Sequence, residues 1–308
     1  MILVTGARGV VGYPLCQRLS SQAVKFLAVT RKPAISETSS VSSHIRGQGK
    51  WLSWDLDQSL DPISWAHNKS TSAQLTTLIH CAPLWVLQDA HIDALAARGL
   101  ARIVAFSSTS IEGKSDSSST HERELIQLLK GAEDRIMRRC QALGINLTIL
   151  RPSLIYGFGR DQNVSKIAQT IRRFRCMLIV GKGSGLRQPV HADDLVSAAL
   201  SVIDKPETYG KSYNVVGGET LSYRLMVLRI FAELGVRPII ISLPLWMMRA
   251  GLTVLSWISS FGYTADMANR MNKDLVYDCE AAQKDFNYKA RAFAPSFDVG
   301  AGVSADQD

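Results

Sequence analysis

Three glycines at a spacing of three, Gly6, Gly9 and Gly12, separate a short apolar run, Ile2-Leu3-Val4-Thr5, from an amphipathic stretch, Val10 to Leu19. The order is strand, glycine turn, helix start. In that order the free N–H groups of the first helical turn face one spot, and the helix dipole makes that spot attract an anion. Gly6 permits the sharp turn, Gly9 lets the backbone approach a phosphate, and Gly12 lets helix and strand pack closely. The ligand such a corner suits is a dinucleotide pyrophosphate, with Arg8, Val10 and Val11 beside it.

Further contacts follow from where the chain goes next. Val24 to Thr30 reads as a second buried parallel strand. About 20 residues beyond the glycines an acidic residue would hold the adenosine ribose. Thr30-Arg31-Lys32 stands there instead. A carboxylate would repel a 2′-phosphate, whereas an arginine pairs with it bidentately. Arg31, Lys32 and Arg8 therefore predict NADP in preference to NAD, with a solvated basic loop as the competing reading. Lys50 to Asp55 is a third strand, ending in Asp55-Leu56 where the adenine is flanked. Cys81-Ala82-Pro83 and Ser107 close strands four (Gln74 to Cys81) and five (Ala101 to Phe106), at the carboxyl edge where ligands of open α/β sheets sit. His80, inside an apolar strand, is expected to be a hydrogen-bonded core residue.

These strands alternate with helical periodicity, notably Leu125, Leu128, Leu129, Ala132, Ile136 and Cys140 within Arg123 to Leu143. Ile145 to Leu150 is a sixth strand. The pattern predicts an α/β chain of Rossmann type, a doubly wound parallel sheet. A smaller carboxyl-terminal α/β domain is expected beside it. The expected division is 1–156 for the nucleotide-binding domain, with 189–204 packing back on it, and 157–188 plus 205–308 for the substrate domain. A formal net charge of +8 favours anionic ligands or a membrane surface, and no zinc-knuckle or aromatic-basic motif points to nucleic acid. Five dispersed cysteines without a CxxC pair predict a reducing cytoplasm and no metal site. A strand starting at residue 2 leaves no room for a signal peptide, an expectation of the same kind.

Strand six continues into Arg151-Pro152-Ser153-Leu154-Ile155-Tyr156-Gly157, and later comes Gln188-Pro189-Val190-His191-Ala192-Asp193-Asp194-Leu195. Together with the glycine turn, Asp55-Leu56, the LIHCAP strand end, the Ser107-Ser108-Thr109-Ser110 cluster and the closing Met271-Asn272-Lys273-Asp274-Leu275-Val276-Tyr277-Asp278 and Lys284-Asp285-Phe286-Asn287-Tyr288, these segments resemble the extended short-chain dehydrogenase/reductase superfamily. More narrowly the chain resembles the NAD(P)-dependent epimerase/dehydratase family, which acts on nucleotide sugars. The resemblance implies that Ser108, with Thr109 as the alternate, holds the reacting oxygen, since a hydroxyl can donate to an oxygen gaining charge. The acid–base pair of the family's dehydratases is replaced by Thr109 and Ser110, which argues against elimination of water. The resemblance also implies a tyrosine four residues before a lysine on the helix leading to strand six. None is present between Ser115 and Leu150: Lys130 has Ile126 before it, and alignment on Glu133 puts Leu125 and Leu129 at the two positions. Three readings stay open: binding without catalysis, another acid (His121, Glu122 or Tyr156), or an atypical branch.

In the second half, Tyr156, Asn163 and Arg187 are the candidate substrate contacts, and the Gly157–Asn163 loop, Arg160 included, is expected to line the cleft. Arg187 matches the arginine that such epimerases place on the substrate diphosphate, while Tyr156 has a structural role as its rival reading. Ile239 to Phe261 is the most apolar stretch, expected as a strand to about Leu243 and then an amphipathic helix. Its residues 244–261, with Leu245, Trp246, Leu252 and Trp257, offer a peripheral membrane contact. The expected function is an NADP-preferring oxidoreductase acting on a nucleotide-linked or lipid-linked sugar, cytoplasmic or at the membrane surface, with a homodimer allowed. The alternative is a cofactor-holding accessory protein similar to the dehydrogenase-like subunit of respiratory complex I.

Overall fold

A computed structural model describes residues 1–31, 49–56, 74–113, 120–244 and 271–297. Lys32 and 245–261, both assigned roles above, lie outside the described residues. A seven-stranded parallel sheet forms the frame: β1 (Ile2–Thr5), β2 (Phe26–Thr30), β3 (Gly49–Ser53), β4 (Thr77–His80), β5 (Arg102–Phe106), β6 (Asn146–Pro152) and, far along the chain, a strand at Lys211–Val215. Spatial order is β3-β2-β1-β4-β5-β6 with Lys211–Val215 outermost. The order reverses between β1 and β4, and outside the strand ends at that switch point a crevice opens for ligand. Residues of β2 and β5 are buried throughout, as short, continuous apolar strands covered on both faces must be.

The helices divide between the two faces. Against one lies α1 (Gly12–Ser21), where Leu15, Cys16 and Leu19 meet Leu195, Val196 and Ala199 of a later helix. Against the other lie α2 (Asp89–Ala96) and α4 (Thr120–Ala142), with Ile92, Leu95, Leu129, Ala132 and Ile136. Between them a single turn, α3 (Ser110–Gly113), follows β5. His80 is fully buried: its Nδ1 takes the Thr5 hydroxyl at 2.7 Å and its Nε2–H donates to Pro83 O at 3.2 Å. Burial pushes its pKa down to about 4, so the ring is a neutral core group.

A third core forms in the second half. It gathers β7 (Ile155–Tyr156), α5 (Val164–Phe174), β8 (Met177–Val180), β12 (Leu221–Ser222), α7 (Tyr223–Glu233) and β13 (Ile240–Leu243); β9 (Leu186–Arg187) pairs with β12, β10 (Val190–His191) pairs with β7, and α6 (Ala192–Ser201) leads back to the main sheet. The outermost strand of that main sheet, Lys211–Val215, is β11, and α8 (Glu280–Phe286) closes the described chain. Helix α1 starts two residues later than its periodicity suggests, because Val10 and Val11 complete the turn. Asp55 and Leu56 follow β3 rather than end it. Strand β8 escapes a sequence reading, since four apolar residues after a helix carry no period of their own. Among the described residues no helix is long and apolar enough to cross a membrane, and no group of metal-ligating side chains assembles.

Candidate active site

Construction starts at the glycine turn. Gly6 has φ +66°, and a Cβ there would stand 2.6 Å from Ala82 N and Cys81 C, so β1 exits tightly against the end of β4. Gly9 N–H donates to Gly6 O at 2.8 Å and closes the turn. A Cβ on Gly12 would run into Gly6 O, which explains why α1 can begin so close to the strand. The N-cap residue Val11 makes no side-chain cap and the first turn holds no acid, so amide N–H groups and dipole are left for an anion. Arg8 carries its guanidinium 5.9 Å from the Trp51 ring centroid on β3, and its buried Nε has no hydrogen-bond partner. Arg31 is exposed where β2 ends. Asp55 is half-buried, Leu56 buried, and Cys81 and Ala82 are half-buried beside an exposed Pro83. Burial holds the Cys81 thiol far above its ordinary pKa, so it is inert.

The carboxyl end of β5 supplies hydroxyls. Ser107 Oγ is buried without a partner, like Arg8 Nε at the other side of the switch point. Such orphaned atoms are uncommon and fit a polar ligand lying along the edge. Ser108 Oγ donates to Ser110 Oγ at 2.9 Å and accepts from Ser110 N–H at 3.1 Å. Thr109 is buried, and its hydroxyl donates to Pro152 O at 3.2 Å. Ser108 is therefore the more available of the two, and Thr109 is tied to strand β6.

Helix α4 offers no replacement acid at the positions in question. Leu125 and Leu129 pack into the second core, and Lys130 projects outward, exposed, with His121. Glu133 is buried beneath Arg151 of β6, which forks onto it at 3.0 and 2.5 Å while reaching Glu112 at 3.1 Å. A phenol does arrive, from elsewhere. Tyr277, on the segment after residue 271, brings its phenol to the end of β5, where its oxygen fills the space a side chain on Gly113 would take. Its backbone N–H donates to Gln188 Oε1 at 2.8 Å. Burial raises its pKa, aided by Glu112 and opposed by Thr109 and Arg187. Sequence reasoning could not find this pairing, because nothing local links residue 277 to strand β5.

Placement of the substrate candidates is mixed. Arg187 is only 4% exposed and donates from Nη1 to Leu186 O and Lys273 O at 2.6 and 2.7 Å, beneath the segment that carries Tyr277. Tyr156 is 1% exposed, accepts from Ala294 N–H at 3.2 Å and packs edge-on to His191 and Phe293. This is a core position, which corrects its assignment to the cleft. Asn163 is exposed, with its N–H bonded to Asp161 at 3.0 Å at the start of α5. Arg160, from the same loop, turns the other way. Its guanidinium lies 3.9 Å from the Tyr13 ring centroid on α1, and Nη1 stands 3.5 Å from Arg8 O, so it stands over the glycine turn.

Comparisons with known proteins agree with this geometry. A curated relative, the uncharacterized protein y4nG of Sinorhizobium fredii, is 27% identical over 210 residues, 65% of this chain and 52% of that protein. The chain thus spans about half the length of that relative. NADH dehydrogenase [ubiquinone] 1 alpha subcomplex subunit 9 of Dictyostelium discoideum is 31% identical over 78 residues, 25% of this chain and 21% of that one. Among solved structures, UDP-glucuronic acid 4-epimerase from Bacillus cereus, in complex with UDP-glucuronic acid and NAD, has a TM-score of 0.69 at 16% identity, covering 95% of this chain and 94% of that one. At that identity the likeness speaks for the fold. The family model described as NAD dependent epimerase/dehydratase family matches residues 2–216, well over half of the chain. On that match, and with a glycine turn and strand order of the same type, the chain belongs to the NAD-dependent epimerase/dehydratase family.

Proposed function

We propose that the chain is an NADP-preferring oxidoreductase that transfers hydride at a carbon of a nucleotide-linked sugar, with a phenol from its carboxyl-terminal part serving where its own helix α4 has leucine. The carrying observation is the Tyr277 phenol seated against Gly113, in the turn that Ser108 and Ser110 open. The glycine turn and the α1 dipole hold a diphosphate, and Arg160 stands over it. Arg8 and Arg31 flank the site of an adenosine 2′-phosphate, and a guanidinium fork suits that group. A nicotinamide coenzyme supplies reversible hydride exchange when bound. Ser108 Oγ–H donates to the sugar oxygen as charge develops on it. Tyr277 Oη exchanges the proton of that oxygen: as phenol it gives the proton when hydride arrives at the carbon, and as phenolate it takes the proton when hydride leaves. Burial raises its pKa, so the hydride-leaving direction should quicken as pH rises. Support for a nucleotide-sugar substrate comes from the Bacillus cereus neighbour, in complex with UDP-glucuronic acid.

The test is single-turnover kinetics with NADP or NAD and UDP-glucuronic acid, following both cofactor reduction and the epimeric product. Ser108→Ala is expected to lower the rate about 100-fold, the usual cost of one oxyanion donor, and Tyr277→Phe by a similar factor. Undiminished turnover in both variants would sink the assignment. A second reading, a cofactor-holding accessory protein, is favoured by the leucines on α4 and the short match to the complex I subunit. Tight NADP binding without turnover of any sugar nucleotide would decide for it.

A further inference from the structure

The chain holds two long runs without an acidic residue. From 162 to 192 there is no Asp or Glu, but there are Lys166, Arg172, Arg173, Arg175, Lys182 and Arg187. From 234 to 265 there is again none, with Arg237 and Arg249 as the cations. The fold brings the two runs together, since β8 of the first pairs in parallel with β13 of the second, Met177 opposite Ile240. Arg175, at φ +58°, ends α5 and turns the chain into β8, and Met177 N–H donates to Ile239 O at 2.9 Å. The carboxyl end of α5 and the start of β13 therefore share one surface.

That surface is basic and apolar at once. Arg172, Arg173, Arg175 and Arg237 are exposed, and among the described residues none of them makes an ion pair. Beside them Phe174 is 42% exposed, Ile239 48% and Ile241 43%. Ile239, just ahead of β13 and already bonded to Met177 N–H, and Ile241 within β13 lie two residues apart and are both exposed. A helix dipole accounts for two or three arginines at a carboxyl terminus. It accounts neither for Arg237 nor for the bare isoleucines. We infer that this face, Arg172–Arg175 with Arg237–Ile241, seats the protein on an anionic lipid surface. Guanidinium groups meet the headgroups while Phe174, Ile239 and Ile241 reach the acyl boundary. A nucleic acid would satisfy the charges but leave exposed isoleucines with nothing to bury against. In sequence, β13 leads directly into the apolar stretch from residue 244 onward.

The experiment is co-sedimentation of the full chain with vesicles of phosphatidylcholine alone, or of phosphatidylcholine and phosphatidylglycerol in equal parts. Expected is binding to the anionic vesicles only, weakened by salt. Each arginine near such a surface is worth about fivefold in affinity, so R172E/R173E should lose at least tenfold. I239S/I241S should also lose severalfold, with less change in the salt dependence. Calorimetric binding of NADP serves as the folding control, since neither pair touches the glycine turn. Equal binding of wild type to both vesicle types would overturn the inference, as would double variants that bind like wild type. Loss of polyuridylate binding in R172E/R173E without any effect of I239S/I241S on vesicles would mark the face as a polyanion site and overturn it too. Vesicle binding by a chain that takes up no dinucleotide would refute the cofactor reading while leaving this one standing.

Discussion

Alanine at two glycines of this chain should shift stability in opposite directions. A Cβ at Gly12 would stand 2.2 Å from Gly6 O, 2.8 Å from Gly6 C and 2.9 Å from Ala7 Cα, where ordinary contact begins at 3.4 Å. All three are backbone atoms, so no side chain can swing away and the turn itself must open. Overpacking of this kind costs about 1–3 kcal/mol. The better helix propensity of alanine returns at most about 1 kcal/mol, which leaves Gly12→Ala destabilised by up to about 2 kcal/mol. Gly131, inside α4, has no atom within 4 Å of the same position. There only propensity acts, and Gly131→Ala should gain about 1 kcal/mol. At about 2–4 °C per kcal/mol for a chain of this order, thermal unfolding should separate the two variants clearly. The turn that opens in Gly12→Ala is also the anion cradle, so its affinity for NADP should fall about tenfold or more, as 1.4 kcal/mol implies. Gly131→Ala should bind as wild type. A Gly12→Ala protein that melts at or above the wild-type temperature and binds NADP unchanged would refute both the packing argument and the placement of the cofactor.

Two further outcomes follow from the same structure. His80 titrates near 4 when folded and near 6.5 when unfolded, so as pH falls the unfolded chain takes up its proton first. Stability should hold above pH 6.5 and decline by about 3 kcal/mol between pH 6.5 and 4, at 1.36 kcal/mol per unit; denaturant midpoints across that window, with His80→Gln as the control that flattens the slope, are the check. Arg8→Ala and Arg31→Ala should each weaken NADP about tenfold or more while leaving NAD nearly unchanged, because a charge-assisted hydrogen bond to a phosphate is worth about 1.5–3 kcal/mol. Calorimetry showing equal losses for both dinucleotides would remove the basis for the NADP preference.

Much of the sheet could be read from residues alone, because β1, β2, β4 and β5 are short buried runs closed by Thr5-Gly6, Thr30, Cys81 and Ser107 at the ligand edge. Leu3, Val4, Ala28, Ile79 and Val104 lie where their hydrophobicity demands, and the glycine spacing is a local code. What escaped is whatever depends on distant partners. Arg187 looks like a ligand fork in sequence, yet it is buried beneath backbone carbonyls supplied by residues 186 and 273. Tyr156 has a ligand-like position after strand six, but Phe293 and Ala294 return from the far end of the chain to enclose it. Arg160 belongs to the substrate loop in sequence, and only the fold shows it stacked on Tyr13. Periodicity reports what a residue must hide from water; it carries no information about which remote segment does the hiding.

The tyrosine that leans on Gly113 has a consequence for biogenesis. Its segment is among the last of the described chain to leave the ribosome, whereas the serines it faces emerge early. A nascent chain therefore makes its glycine turn long before the Tyr277 phenol can dock against Gly113, so the proton exchange proposed above becomes possible only once residue 277 has emerged.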